Sequence, residues 1–491
     1  VSVRDAFFQP VGEMPHVLEI PAPVAARAGG AAGSAVGGAN GGAGAFEIDI
    51  RPPGSKSLTN RALLLAALAA GTSKLRRPLL DADDAQRMIA ALKSLGVGFE
   101  LEASGDLVVS GVGGRWKVPE GGVTVNLNNA GTATRFLAAA AVLAPGGLTI
   151  DGNERMRQRP IGELGTALVQ MGASVEYRMN DGYPPMHVGL PAGVDGLKTT
   201  VTFPTTQSSQ FISAVALIAP WLKGGITIKL VGEITSESYI TMTLKLLERL
   251  GATVKTSADL RTIRVMGEQL EDGSKGLRAF DLAVEPDASG ATYFWGAAAL
   301  VPGARARVLG LGSDSLQGDA NFPHLLGHMG ATVTAFGGGD GGSGDPWVQV
   351  RGAAKISPIM TDLSDMPDTA MTLAAVAAFA DGTSVVKGLK TLRVKETDRI
   401  AAMQNELAKI GVKIVTPISG DAGAISITPP EGGIDCSMNA PRVEFDTYDD
   451  HRMAMSLALI GLRRPNVVIK DPKCVAKTYA GFWRDFAGLI G

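Results

Sequence analysis

The strongest constraint in this 491-residue chain is a period. Six Ala- and Leu-rich segments end at a glycine, at Gly71, Gly146, Gly224, Gly303, Gly382 and Gly461, spaced by 75, 78, 79, 79 and 79 residues. Amphipathic segments interleave with them and close at Gly96, Gly172, Gly251, Gly330 and Gly411, spaced by 76, 79, 79 and 81. Each glycine of the second series follows a helical pattern and precedes a strand-like run such as ASVEY, ATVKT or ATVTA. That is the place of a helix C-cap glycine. One supersecondary unit repeated six times explains both series. The unit reads as an apolar helix, a strand, an amphipathic helix, then one or two strands, so the class is α/β. The first helix type, such as NRALLLAALAAG, is apolar nearly all round and has to be buried on most sides. The second, such as SYITMTLKLLERLG, carries one charged face and belongs outside. Period alone leaves open a closed ring, a solenoid or two lobes of three.

Composition removes several function classes. Lys+Arg at 46 against Asp+Glu at 48, without long basic runs, gives no electrostatic footprint for nucleic acid. Cys436, Cys474 and five scattered His, with no HExxH or CxxC, supply neither a disulfide framework nor a zinc site. Two cysteines suit a reducing compartment, and no apolar run is long enough to cross a bilayer. Neither GxxxxGK[ST] nor a strand-to-helix GxGxxG occurs, so no nucleotide site is indicated. Acid and base work falls to carboxylates and lysines. The chain begins with Val, and no signal-peptide pattern is visible. Two glycine tracts, 25–45 and 337–346, read as expanded loops. The flanks of the first, HVLEI and FEIDI, alternate like strands and are expected to form a hairpin; ATVTAF and WVQVRG around the second read the same way.

The informative polar residues open the apolar helices: SKSLTNR, NNAGTATR, TTQSSQF, DASGATYF, MPDTAMT and YDDHRMAM. A helix start offers unpaired N–H groups and about half a positive charge, so it attracts anions. Ser, Thr, Asn and Asp there read most simply as N-caps. Lys56, Arg61, Arg135 and Arg452 are less expected, because a cation opposes the helix dipole. An anionic ligand would remove that penalty. RMRQRP adds Arg155, Arg157 and Arg159 before an amphipathic helix expected to start at Pro160. RVKETDRI is expected to put Lys395 and Arg399 on one helical face, with Glu396 three residues from Arg399; its plain reading is a solvated, salt-bridged face. With Lys477 of DPKCVAK, these cations fit a multiply anionic substrate pair.

The motifs PGSKSLTNRALLLAALA, NNAGTATR, RMRQRPIG, SSQF, DASGATYF, SLQGD, MPDTAMT, RVKETDR, DHRMAM and DPKCVAKT occur in this order over about residues 46–480. Together they resemble the enolpyruvyl transferase family, and within it the 5-enolpyruvylshikimate-3-phosphate (EPSP) synthases. The resemblance implies two lobes, each of three βαβαββ-type units, with buried helix N-termini facing an interlobe cleft that closes around substrate. It puts residues 55–285 in the N-terminal lobe and 286–491 in the C-terminal lobe, with the strands of 1–54 packing on the latter. The implied reaction transfers enolpyruvyl from phosphoenolpyruvate to the 5-hydroxyl of shikimate 3-phosphate and releases phosphate. It is an addition–elimination through a tetrahedral intermediate, part of the shikimate pathway to aromatic amino acids and the target of glyphosate. The resemblance implies no metal or organic cofactor, no nucleic acid or membrane partner, and a cytoplasmic monomer.

By the same resemblance, shikimate 3-phosphate falls on Ser57, Arg61, Ser208, Ser209, Gln210, Ser236, Tyr239, Asp368 and Lys395. Phosphoenolpyruvate falls on Lys56, Gly131, Arg159, Gln210, Arg399, Arg452 and Lys477. Asp368 is the implied acceptor of the 5-hydroxyl proton, and Glu396 and Lys56 are the candidates for moving protons at the phosphoenolpyruvate methylene carbon. Four positions depart from the family pattern. Thr134 and Phe136 stand where Met and Pro are usual, Thr391 replaces an Asn, and Ser238 replaces a Pro. Losing the first-turn Pro for a bulky Phe is expected to shift that helix and Gly131, and so to weaken glyphosate binding. The rival readings are the sister transferase acting on UDP-N-acetylglucosamine, an RNA-end-processing enzyme of related repeat architecture, and a non-catalytic binder of phosphorylated metabolites.

Overall fold

The computed structural model describes residues 6–22, 45–119, 121–190, 193–205, 208–271, 273, 275–337 and 345–490. Residues 25–44 of the first glycine tract and 338–344 of the second lie outside the described residues. The chain divides into two compact units, Gly54–Glu285 and Val1–Pro53 with Pro286–Gly491.

The first unit holds α1 (Lys56–Leu68), α2 (Asp83–Ser94), α3 (Gly131–Ala140), α4 (Gly162–Met171), α5 (Ser209–Ile218) and α6 (Glu237–Arg249). The second holds α7 (Ala288–Leu300), α8 (Phe322–His328), α9 (Ala370–Ala377), α10 (Arg399–Ala408), α11 (His451–Ala458) and α12 (Phe482–Ala487). The odd-numbered helices are the apolar ones, and they are buried at nearly every position. Each Leu enclosed in α1, such as Leu63 or Leu64, stabilises its unit by roughly 2 kcal/mol. The even-numbered helices bury one stripe. In α2 the stripe is Asp84, Ala85, Met88, Ala91 and Leu92, spacings of three and four that share one helical face.

Four of the six buried helices, α3, α5, α9 and α11, join two parallel neighbours in one small sheet, and each of α2, α4, α6, α8 and α10 then leads into an antiparallel pair. Val123–Asn126 runs parallel to Leu148–Asp151, which is antiparallel to Met186–Gly189, itself antiparallel to Ser174–Tyr177. The strands Thr200–Phe203, Ile226–Leu230, Thr262–Val265 and Val254–Thr256 repeat the pattern. In two repeats the parallel partner comes from elsewhere in the chain. Asp281–Ala283 lies beside Thr72–Arg76, and Glu47–Ile50 lies beside Arg305–Leu309.

The expected hairpin between residues 16–20 and 46–50 does not form. Val17–Ile20 pairs antiparallel with Val467–Lys470, in a different sheet from Glu47–Ile50. Alternation in sequence encodes which face of a strand is buried, and says nothing of its partner. The second expected hairpin does form, with Thr332–Phe336 antiparallel to Trp347–Arg351. All five glycines of the second series take left-handed φ, from 82° at Gly411 to 108° at Gly330, and end their helices. Gly461 acts differently. A Cβ there would stand 2.5 Å from Ile20 Cγ2, so its bare backbone makes room for the N-terminal strand.

Candidate functional site

In the unit Gly54–Glu285, Arg61 links the starts of three helices. It is 2% exposed. Its Nη1 donates to Ser57 O (2.9 Å), Nη2 to Tyr239 O (3.2 Å) and Ser213 Oγ (3.4 Å), and Nε to Thr243 Oγ1 (2.8 Å). Its guanidinium lies 5.2 Å from the centre of the Phe136 ring. Burial pushes the Arg61 pKa down to about 10, with Tyr239 opposing, so it remains a cation at neutral pH. The departure at Phe136 thus fills the space under Arg61 with an aromatic face that favours a cation.

Ser208 caps α5, its Oγ accepting from Gln210 N at 3.3 Å, while Gln210 Nε2 donates to Thr132 Oγ1 in α3 (3.4 Å). Ser209 is buried in the first turn of α5. Arg159 donates to Asn129 Oδ1 (3.2 Å), and a Cβ on Gly131 would stand 2.7 Å from Arg159 Nη2. Glycine at 131 is what lets this guanidinium lie against the start of α3. Ser236, at φ 54°, precedes α6, whose Tyr239 carbonyl accepts from Arg61, Ser213 and Thr243. Lys56 Nζ stands 3.7 Å from Asp84 Oδ2, a carboxylate 2% exposed.

Not every arginine that opens a helix looks outward. Arg135 donates to Gly131 O and Pro160 O, bracing α3 to the turn at 155–160. Arg157 makes a two-point pair with Asp151. The helix expected from Pro160 starts at Gly162, because Ile161, at φ −138° and ψ 3°, is outside helical geometry; its N–H donates to Gly182 O (2.8 Å).

In the second unit the centre is Asp368, in the 3-10 turn Pro367–Thr369 that leads into α9. Its Oδ1 accepts from Arg399 Nη1 (2.9 Å), its Oδ2 from Arg452 Nη2 (3.0 Å), and Lys395 Nζ lies at 3.6 Å. Burial alone would push this carboxyl up, but Arg452, Lys395 and Arg399 hold it well below the usual carboxylate range. Lys395 in turn is lowered, chiefly by burial. Arg399, 1% exposed, donates from Nε to Asp450 Oδ2 (2.8 Å) and from Nη2 to Glu396 Oε2 (2.9 Å). Burial lowers its pKa, but Asp450, Glu396 and Asp368 outweigh that and raise it. Glu396 Oε1 accepts from Lys477 Nζ at 2.8 Å. Lys395, Arg399, Arg452 and Lys477 thereby meet three carboxylates, those of Asp368, Glu396 and Asp450.

The expected helical face from Lys395 to Arg399 is not there. Asp398 caps α10, its Oδ1 accepting from Ile400 N and Ala401 N, so Lys395 and Glu396 occupy the turn before it. Nor is the segment a solvated face, since Arg399 is buried. Sequence reasoning passed over Asp84, Asp450, Ser289 and Asp319. Arg452 Nη2 also donates to Ser289 Oγ (3.3 Å), and Ser289 donates to Asp319. Burial pushes the Asp319 carboxyl up to about 7, with Asp368 adding to it. The signals for Asp450 and Asp319 were the N-cap position in YDDHRM and the acid of SLQGD. Thr391 Oγ1 is buried and, among the described residues, has no hydrogen-bond partner.

Among the described residues no group of three or more His, Cys, Asp or Glu is arranged to hold a metal, and no helix is long and apolar enough to cross a membrane. This geometry can grip anions at two sets of helix starts, and it offers carboxylates and lysines for proton transfer.

Comparison with known proteins gives one answer. Residues 42–486 match the family described as EPSP synthase (3-phosphoshikimate 1-carboxyvinyltransferase). A 3-phosphoshikimate 1-carboxyvinyltransferase of Shewanella baltica (strain OS185) is 40% identical over 444 residues, 90% of this chain and 97% of its own length. That of Laribacter hongkongensis (strain HLHK9) is 42% identical over 440 residues, 89% of this chain and 95% of its own. The structure of EPSP synthase from Acinetobacter baumannii superimposes with a TM-score of 0.73 at 26% identity, covering 91% of this chain and 96% of that one.

Proposed function

This chain belongs to the EPSP synthase family, the 3-phosphoshikimate 1-carboxyvinyltransferases, and from that premise we propose how its own residues carry out the reaction. It is a transferase of the shikimate pathway: it moves the enolpyruvyl group of phosphoenolpyruvate to the 5-hydroxyl of shikimate 3-phosphate and releases phosphate. We take Gly54–Glu285 as the N-terminal lobe and the remainder as the C-terminal lobe. Shikimate 3-phosphate is bound by Ser57, Arg61, Ser208, Ser209, Gln210, Ser236 and Tyr239 of the first, and by Asp368 and Lys395 of the second. Phosphoenolpyruvate is bound by Lys56, Gly131, Arg159 and Gln210, and by Arg399, Arg452 and Lys477.

The observation that carries this reading is Asp368, an ionised carboxylate in hydrogen-bond contact with two arginines. Held so low, it is a weak base. A substrate carboxylate or phosphate that takes over the guanidinium N–H groups of Arg399 and Arg452 removes that restraint, and its pKa rises toward the working pH. Asp368 then accepts the 5-hydroxyl proton as the oxygen attacks C2 of phosphoenolpyruvate. Glu396 or Lys56 delivers a proton to the methylene carbon, giving the tetrahedral intermediate. Loss of a proton from that carbon expels phosphate and restores the double bond. The protein works as a cytoplasmic monomer, which sedimentation at micromolar concentration checks.

Phosphate release from phosphoenolpyruvate that depends on shikimate 3-phosphate is the test. Asp368→Asn should lower kcat by about 10³-fold. Release that depends on UDP-N-acetylglucosamine instead would reverse the substrate, and release in neither case would leave a binder.

A further inference from the structure

The turn that delivers Arg452 is strained. Tyr448 and Asp449 both take left-handed φ, 57° and 53°, a conformation that crowds the Cβ of a non-glycine residue against its own backbone. The next residue is Asp450, fully buried, which pairs with Arg399 and accepts from Arg452 N at 2.9 Å as the cap of α11. Two consecutive residues in this region persist only where the surroundings hold them.

What holds them is Glu406, on the buried face of α10 with Arg399 and 1% exposed. Its Oε1 accepts from Tyr448 OH at 2.7 Å, and its Oε2 from Asp446 N at 2.8 Å and Lys409 Nζ at 2.6 Å. Lys409 reaches on to Glu444 O (2.9 Å) and Asp446 Oδ2 (3.0 Å). One carboxylate is therefore bonded to the backbone before the left-handed pair and to the side chain of its first member. α10 grips the start of α11 twice, through Arg399 on Asp450 and through Glu406 on the turn.

We propose that Glu406 is a positioning residue: by clamping the turn at 446–449 it sets the aim of the Arg452 guanidinium at Asp368 and at the phosphoenolpyruvate anion. The inference rests on the assignment of Arg452 to phosphoenolpyruvate. Arg452 lies in the first turn of α11, so a shift in the preceding turn passes directly into the guanidinium position, where displacements well under 1 Å alter binding.

Two variants test it. Glu406→Gln keeps the shape, loses the charge and puts an amide donor where three donors now converge; Tyr448→Phe removes one hydroxyl at a partly exposed residue. Steady-state kinetics, with each substrate varied, should show the KM for phosphoenolpyruvate raised about tenfold in Glu406→Gln and about threefold in Tyr448→Phe, with the KM for shikimate 3-phosphate within about twofold of wild type. A crystal structure of Glu406→Gln should show Arg452 displaced from Asp368. A merely structural role would lower the melting temperature and move both KM values together; that result, unchanged KM values, or an Arg452–Asp368 bond still at 3.0 Å would overturn the proposal. Wild-type protein that releases no phosphate with shikimate 3-phosphate would defeat the substrate assignment instead, and the position of Arg452 in the variant would then decide the proposal alone.

Discussion

Each unit packs three buried helices, and the buried arginine that ties helix starts together is satisfied in opposite ways in the two. In Gly54–Glu285, Arg61 donates to two backbone carbonyls and two hydroxyls, all neutral acceptors. In the second unit Arg399 meets three carboxylates, Asp368, Glu396 and Asp450. The buried helices of that unit are linked by hydroxyls: Thr292, Thr372 and Ser456 join α7, α9 and α11 at 3.0 and 3.4 Å. A cation on neutral acceptors keeps its charge on offer to a phosphate. A cation paired with carboxylates has to exchange partners, and the exchange is what releases a base.

The contrast is sharpest when each arginine is removed. Arg399→Met leaves the carboxylate of Asp450, fully buried, without the guanidinium that pairs with it, and should cost about 3–5 kcal/mol in urea unfolding. Arg61→Met strands only neutral groups and should cost about 1–3 kcal/mol. Equal losses would break the comparison.

Next in size is a pH effect confined to the second unit. Asp319 has a folded pKa of about 7 against an ordinary value near 4, so the fold favours its protonated form. The associated stability is present below about pH 4 and is lost as pH rises through 7. Asp319→Asn, which mimics the neutral acid, should gain in melting temperature relative to wild type by about 5 °C between pH 5 and 7.5 and no further above that. A constant difference across that range would remove Asp319 from the titration. The smallest effect belongs to the first unit. Phe136→Leu withdraws the ring from Arg61 and should destabilise by about 1 kcal/mol, seen as a small fall in the denaturation midpoint.

Much of this architecture was legible because it is local. A helix apolar on all sides, a C-cap glycine and a period of about 79 residues are properties of neighbouring residues, and they survive folding unchanged. Partners are not local. Alternation in VLEI and EIDI showed two strands but not that they join different sheets. Arg135 and Arg61 look alike as first-turn cations, yet one braces a turn and the other joins three helix starts; the acceptors that separate them, Pro160 O and Tyr239 O, come from distant segments. Asp450 was visible as a cap, while its pairing with Arg399, 51 residues earlier, was not. The resemblance supplied the Asp368 and Glu396 assignments that spacing could not.

The strands borrowed from far along the chain bear on how the protein is made. During synthesis from the N-terminus, Val17–Ile20 leaves the ribosome about 450 residues before its partner Val467–Lys470 exists, and Thr72–Arg76 waits about 200 residues for Asp281–Ala283. Until then these segments are open strand edges, the kind of surface that other chains and chaperones recognise. The same late pairing works as a check on completeness: a product cut short before residue 467 keeps Val17–Ile20 unpaired, and so marks itself as unfinished at its beginning.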